Sequence, residues 1–146
     1  MSTPHPPIQN LLFFVADEIN DHLRLEVANF VGNLADKRNC TVSAPIFVNE
    51  IDIESVTQDG DVPIETLGGY LKIYSAWTAN KPSKGVDIKT YEDVRHMVDA
   101  LCEFSKLKSI SFEFELDGTH VGEIRAGNLD RNLSVGLLKE WERQLG

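Results

Sequence analysis

The sequence lacks a membrane-length apolar run, a cationic leader, paired cysteines and any surplus of base. Its longest apolar stretch, residues 11–16, stops at Asp17 and Glu18, far short of the ~20 residues a membrane helix requires. Residues 1–7 (Met-Ser-Thr-Pro-His-Pro-Pro) have neither a positive n-region nor a cleavage site, so no secretory signal is expected. Cys40 and Cys102 stand alone without C-x-x-C spacing, which reads as two thiols buried in a cytoplasmic protein. Only 14 Lys and Arg face 23 Asp and Glu, a net charge of -9. That balance repels nucleic acid and anionic membranes and favours basic protein partners. The excess is uneven: residues 1–80 carry -7 of it and residues 81–146 only -2.

Catalytic signatures are missing as well. The histidines are His5, His22, His96 and His120, and none sits in an H-E-x-x-H or Cys/His cluster, so no metal is expected. There is no G-x-S-x-G, no P-loop and no G-x-G-x-x-G, hence no expected cofactor or catalytic residue. Asp59-Gly-Asp61 lacks the alternating ligands and distal Glu of a calcium loop. Neither an internal repeat nor a low-complexity segment occurs. At 146 residues the chain is one domain long, with enough length to bury a core unaided.

What is present reads as α+β. Residues 1–7 form a loose arm. From Ile8 the apolar residues Leu11, Leu12, Val15, Ile19, Leu23, Val27, Phe30, Val31 and Leu34 recur in steps of three and four. This predicts one helix to about Lys37, or two that break near Asn20-Asp21, with a strand over 11–15 as the alternative. Alternation over 41–53, bent at Pro45, and over 70–77, after Gly68-Gly69, predicts strands. Residues 79–85 read as loop, and Thr90 as the N-cap of a helix ending near Ser105.

The region 109–145 is the most legible. Ile110, Phe112, Phe114 and Leu116 alternate with Ser111, Glu113 and Glu115, and Asp117-Gly118 then supplies a type I′ turn. A plain two-residue hairpin would put Ile124 on the polar face. One extra residue at Gly122 corrects the phase, so a β-bulge is expected there. Ser134 or Asp130 caps a closing helix that buries Leu133, Leu137, Leu138, Trp141 and Leu145. The whole is an α+β fold: an N-terminal helix or helix pair, a largely antiparallel sheet, and two further helices.

Between Asn49 and Pro63, and on to Glu65, the chain is acidic without a single Lys or Arg. Glu50, Asp52, Glu54, Asp59, Asp61 and Glu65 are therefore the candidate partner-binding carboxylates, able to steer and pair with a basic surface. Tyr70 and Tyr74, with Trp77, are candidate aromatic anchors beside them. Glu113, Glu115 and Glu123, with His120 opposite Glu115, offer a second cluster, which reads first as the wet face of a sheet.

Four segments near the end, Phe112-Glu-Phe-Glu-Leu-Asp-Gly118, Val121-Gly-Glu-Ile124, Gly127-Asn-Leu-Asp130 and Gly136-Leu-Leu-Lys-Glu-Trp141, resemble the ending of small bacterial immunity-type proteins of toxin–immunity systems. The resemblance covers about a quarter of the chain. It implies a non-enzymatic cytoplasmic protein that binds and blocks one toxin domain, and the acidic balance would suit a nuclease toxin with a basic cleft. Two alternatives stand beside it. One is a small enzyme or ligand-binding domain using the carboxylates of 109–124, and the other a homodimeric adaptor that pairs through the apolar stripe of 8–34.

Overall fold

A computed structural model of the chain describes residues 7–53, 58–60, 63–75 and 83–145. Its strands are β1 (Ile8–Val15), β2 (Ile46–Asp52), β3 (Ile64–Tyr74), β4 (Phe112–Leu116), β5 (Thr119–Arg125) and β6 (Asn128–Leu129). Its helices are α1 (Asp21–Lys37) and α2 (Lys84–Lys108), then a π-helical segment, Asn132–Lys139, that runs directly into α3 (Glu140–Leu145). The strands form one antiparallel six-stranded sheet in the order β2-β3-β1-β4-β5-β6. Thus the α+β class, the antiparallel sheet and the C-terminal hairpin are as the sequence pattern predicts.

The N-terminal helix is corrected in part. Residues 8–15 are a central strand, paired with β3 on one edge and β4 on the other. Residues 11–15 are apolar at every position, so periodicity alone does not separate helix from strand there. The run Phe13-Phe14-Val15 favours a pleated surface, and pairing on both edges overrides the helical reading. Leu11, Phe13 and Val15 point into the core and are at most 5% exposed, whereas Leu12 and Phe14 face the opposite side and are half-buried. Asn20 then marks the helix start, its side-chain oxygen accepting from the Leu23 amide at 2.8 Å. Leu23, Val27, Val31 and Leu34 of α1 are all buried in the chain's own core. The α1 part of the stripe suggested for dimerisation is therefore covered by the chain's own core, whereas Ile8 and Leu12 of β1 are not fully buried.

Two further boundaries move. Strand β3 begins at Ile64, six residues before the expected start, and runs through Gly68-Gly69. Helix α2 begins at Lys84 rather than near Thr90, capped by the Ser83 hydroxyl, and Thr90 lies inside it with its own hydroxyl donating to the Val86 carbonyl at 2.9 Å. Asp87, Thr90 and Asp93 are buried polar residues on the core-facing side of α2, which masks the amphipathic signal of its first turns.

The expected hairpin irregularity is present. Leu116 pairs with Thr119 and Glu115 with His120, but Phe114 pairs with Gly122, so Val121 is the extra residue of a bulge shared with Gly122. Ile124 thereby returns to the core opposite Phe112. Gly122 (φ 152°) also lies against the closing helix, where a methyl group would stand 2.5 Å from the Leu133 Cβ. Ala126 and Gly127, both at positive φ, make a second tight turn into β6. Asp130 is the cap that starts the closing helical turns, accepting from the Leu133 amide at 2.9 Å.

Phe13 is the hub of the core. Its ring meets Phe112 edge-on at 5.9 Å and Phe114 at 6.4 Å. On the β3 side it lies over Gly69, where a methyl group would come within 2.9 Å of its ring. Two outcomes follow from this packing. Phe13→Ala should cost ~3–5 kcal/mol in urea unfolding, and Gly122→Ala ~1–3 kcal/mol from overpacking against Leu133.

Candidate functional site

One face of the sheet carries the helices and the other carries no element among the described residues, so the open face is the natural place for a binding surface. Side chains paired across strands share a face, which arranges the open side in rows. Ile46, Tyr70, Leu12, Glu115 and His120 make one row; Val48, Gly68, Phe14, Glu113 and Glu123 make the next. In these two rows the β2-β3-β1 part is apolar and the β4-β5 part acidic, while Asn10, Lys72, Thr66, Glu50 and Asp52 occupy the neighbouring open-face positions of β1, β3 and β2. Gly68 sits in the apolar row because a methyl group there would stand 1.9 Å from the Phe13 carbonyl oxygen.

A shallow depression of about 410 Å³ crosses the apolar part, lined by Asn10, Leu12, Val48, Glu50, Thr66, Tyr70, Asp117 and Gly118. Asp117 closes one end because the hairpin turn is tied to β1 at both atoms. Its carboxylate accepts from the Asn10 amide at 2.8 Å, and its own amide donates to the Asn10 carbonyl at 3.0 Å. Glu50 and Tyr70 come together here, while Asp52 and Tyr74 extend the same face at the ends of their strands.

The other candidate carboxylates separate. Asp59 is exposed in the turn at 58–60. Glu54 and Asp61, with Trp77, lie outside the described residues. Glu65 is on the helix-covered face, where Arg24 grips it with two hydrogen bonds of 2.7 Å and the Asn49 amide donates a third. Its role there is to lock α1 to the sheet. The Arg24 guanidinium, aided by Asn49, holds the Glu65 carboxyl at about 2 against an ordinary 4.5.

The second cluster lies on the open face. Glu123 is paired with Arg125 at 3.1 Å, and His120 stands 3.7 Å from Glu113. Glu50 and Glu115 have no hydrogen-bond or ion-pair partner among the described residues. The depression beside the closing helix contains His120 alone of these four groups, with Leu116, Val121, Asn132, Gly136 and Leu137. That depression therefore does not bring two of the four groups together. Among the described residues no cluster of His, Cys, Asp and Glu suits a metal ion, and no helix is long and apolar enough to cross a membrane.

Buried polar residues elsewhere are scaffold. Asp93, 4% exposed, accepts from Arg38 Nε, the Thr41 amide and the Thr41 hydroxyl, each at 2.7 Å. This pins the chain between α1 and β2 onto α2. Asp87 accepts from the Trp141 indole at 2.8 Å, and Tyr91 meets the same ring edge-on at 5.6 Å, which seats α3. Burial pushes the Cys40 and Cys102 thiols upward, leaving both as weak nucleophiles.

The sequence reading missed Leu12, Phe14 and Val48 as surface residues. The available signal was apolar residues at both parities of 11–15, which a strand places on both faces of the sheet. No family model matches the chain, and no curated protein or solved structure does.

Two measurements check the scaffold assignments. Because the Glu65 carboxyl titrates lower in the folded chain than in the unfolded one, its contribution is full above about 4.5 and is lost as pH falls toward 2. Urea unfolding should weaken across that window, and Glu65→Gln should remove its share of the slope. Asp93→Asn should cost ~2–3 kcal/mol at neutral pH, since it weakens hydrogen bonds to a buried charged group.

Proposed function

We propose that this chain is a non-catalytic cytoplasmic binding protein, an inhibitor or immunity partner that covers a basic domain of another protein with its open sheet face. A nuclease toxin, whose substrate cleft must be cationic to hold phosphates, is the partner chemistry that fits best. The observation that carries this reading is the division of one open face into an apolar patch (Leu12, Phe14, Val48, Tyr70) and a carboxylate border (Glu50, Glu113, Glu115, Asp117, Glu123). Apolar centre and charged rim is the usual anatomy of a protein interface, with the aromatic as anchor and the charges as steering groups. The net charge of -9 acts in the same direction. So does the resemblance of 112–141 to immunity-type proteins.

Glu50 and Glu115 are the residues to test, because neither is engaged within the chain among the described residues. The first step is to read the neighbouring genes for a protein with a basic domain, whose affinity for this chain is then measured by calorimetry at about 50 and 300 mM salt. Binding should weaken steeply with salt, and the Glu50→Gln/Glu115→Gln pair should weaken it about tenfold, which corresponds to ~1.4 kcal/mol. Thermal unfolding of the pair should match the parent. Affinity indifferent to both salt and the two substitutions would sink the electrostatic reading.

A further inference from the structure

The sheet ends on one side in the two-residue strand β6 and on the other in the seven-residue strand β2. Every second residue of an edge strand directs its N–H and C=O away from its neighbour, a template for another strand. Natural edges are usually blunted by lysine, by an internal proline or by a bulge. β2 has none of these. It pairs with β3 over seven consecutive positions without a register shift, Pro45 lies just before it, and no described element pairs with its outer side. It is also unusually apolar for an exposed strand: Ile46, Phe47 and Ile51 are 40%, 39% and 58% exposed, and Ile53 and Ile64 beside them 75% and 63%.

The geometry points to strand addition at β2 as the docking mode of the proposed function, and the inference rests on that reading. The occupant is an extended segment of the basic partner with alternating residues. Those over the open face meet Ile46 and Val48 at one end and Glu50 at the other, so apolar residues followed by Lys or Arg fit. Those over the helix side meet Phe47 and Ile51. Backbone hydrogen bonds supply affinity and the alternating side chains supply selection.

Charge decides between this occupant and a second copy of the chain. Antiparallel self-pairing centred on Asn49 would set the Glu50 carboxylates of two molecules diagonally beside one another, on chains that each carry -9. A cationic segment meets the same carboxylates with attraction. Acid at this edge therefore acts as the blunting charge against self-association while selecting for base.

The test uses the full chain and a capped peptide, Val-Val-Val-Val-Lys-Val-Lys-Val, which carries valines then lysines on one face and valines on the other, read by amide hydrogen exchange in NMR and by fluorescence anisotropy. Peptide should slow exchange at alternate β2 amides at least tenfold, and Ile51→Lys, at an exposed position, should weaken binding at least tenfold with unchanged thermal unfolding. A valine–threonine peptide should bind at least tenfold more weakly than the lysine one. Absence of β2 protection overturns strand addition. If binding still falls with salt and with Glu115→Gln in that case, the acidic-face reading survives by itself; if it does not, both fail together. Protection of β2 without peptide, in a chain that sediments as a dimer, assigns the edge to a second copy and overturns the proposal.

Discussion

Everything in this fold leans on β1 being central. Residues 8–15 are hydrogen-bonded on both edges, to β3 and to β4, so the two halves of the chain meet only through this strand within the sheet. Phe13 fixes the meeting. Its ring packs on Phe112 and Phe114 from the C-terminal half and over Gly69 from the N-terminal half. The glycine pair at 68–69 is the matching concession on β3, since a side chain at either position would collide with Phe13 backbone or ring. With that contact set, α1 is held by the Arg24 fork on Glu65 and α2 by Asp93 on Arg38 and Thr41.

A central strand must bury one face and do something with the other. Here the helices cover the Leu11-Phe13-Val15 side completely, and the Leu12-Phe14 side is left half-buried between Tyr70 and the β4 glutamates. A solvated face of an antiparallel sheet is ordinarily polar. The apolar residues on this one do not serve the core, and that surplus, more than the acidity, is what sets the face apart.

The legible part of the fold was local. Asp117-Gly118 fixed the hairpin, and the phase of Ile124 required an extra residue beside Gly122, because a strand's period of two leaves no other way back to the core. Asn20 marked the start of α1 through its capping chemistry. What sequence could not resolve was decided at a distance. Residues 11–15 are apolar at every position, which suits helix and strand alike, and only pairing with residues about sixty and a hundred positions away selects the strand. The first turns of α2 were hidden for a related reason: Asp87 and Asp93 interrupt its apolar stripe, yet each is buried against a donor from another element, Trp141 or Arg38.

The candidate surface was half legible for the same cause. Glu50 and Tyr70 were found by composition, and they do face one depression. Glu65 belongs to the same acidic run, yet strand parity turns it to the helix side, where Arg24 neutralises it. Neighbours in sequence thus divide by face into an open-face charge and a structural one. The converse holds for Glu115, fifty residues from the acidic run, which pairing brings into the row of Leu12, Tyr70 and Ile46. A charge run is therefore the wrong unit for reasoning about recognition in a sheet protein. The unit is the row across strands, and in this chain the two rows that begin at Ile46 and Val48 run from apolar β2 to acidic β4 and β5.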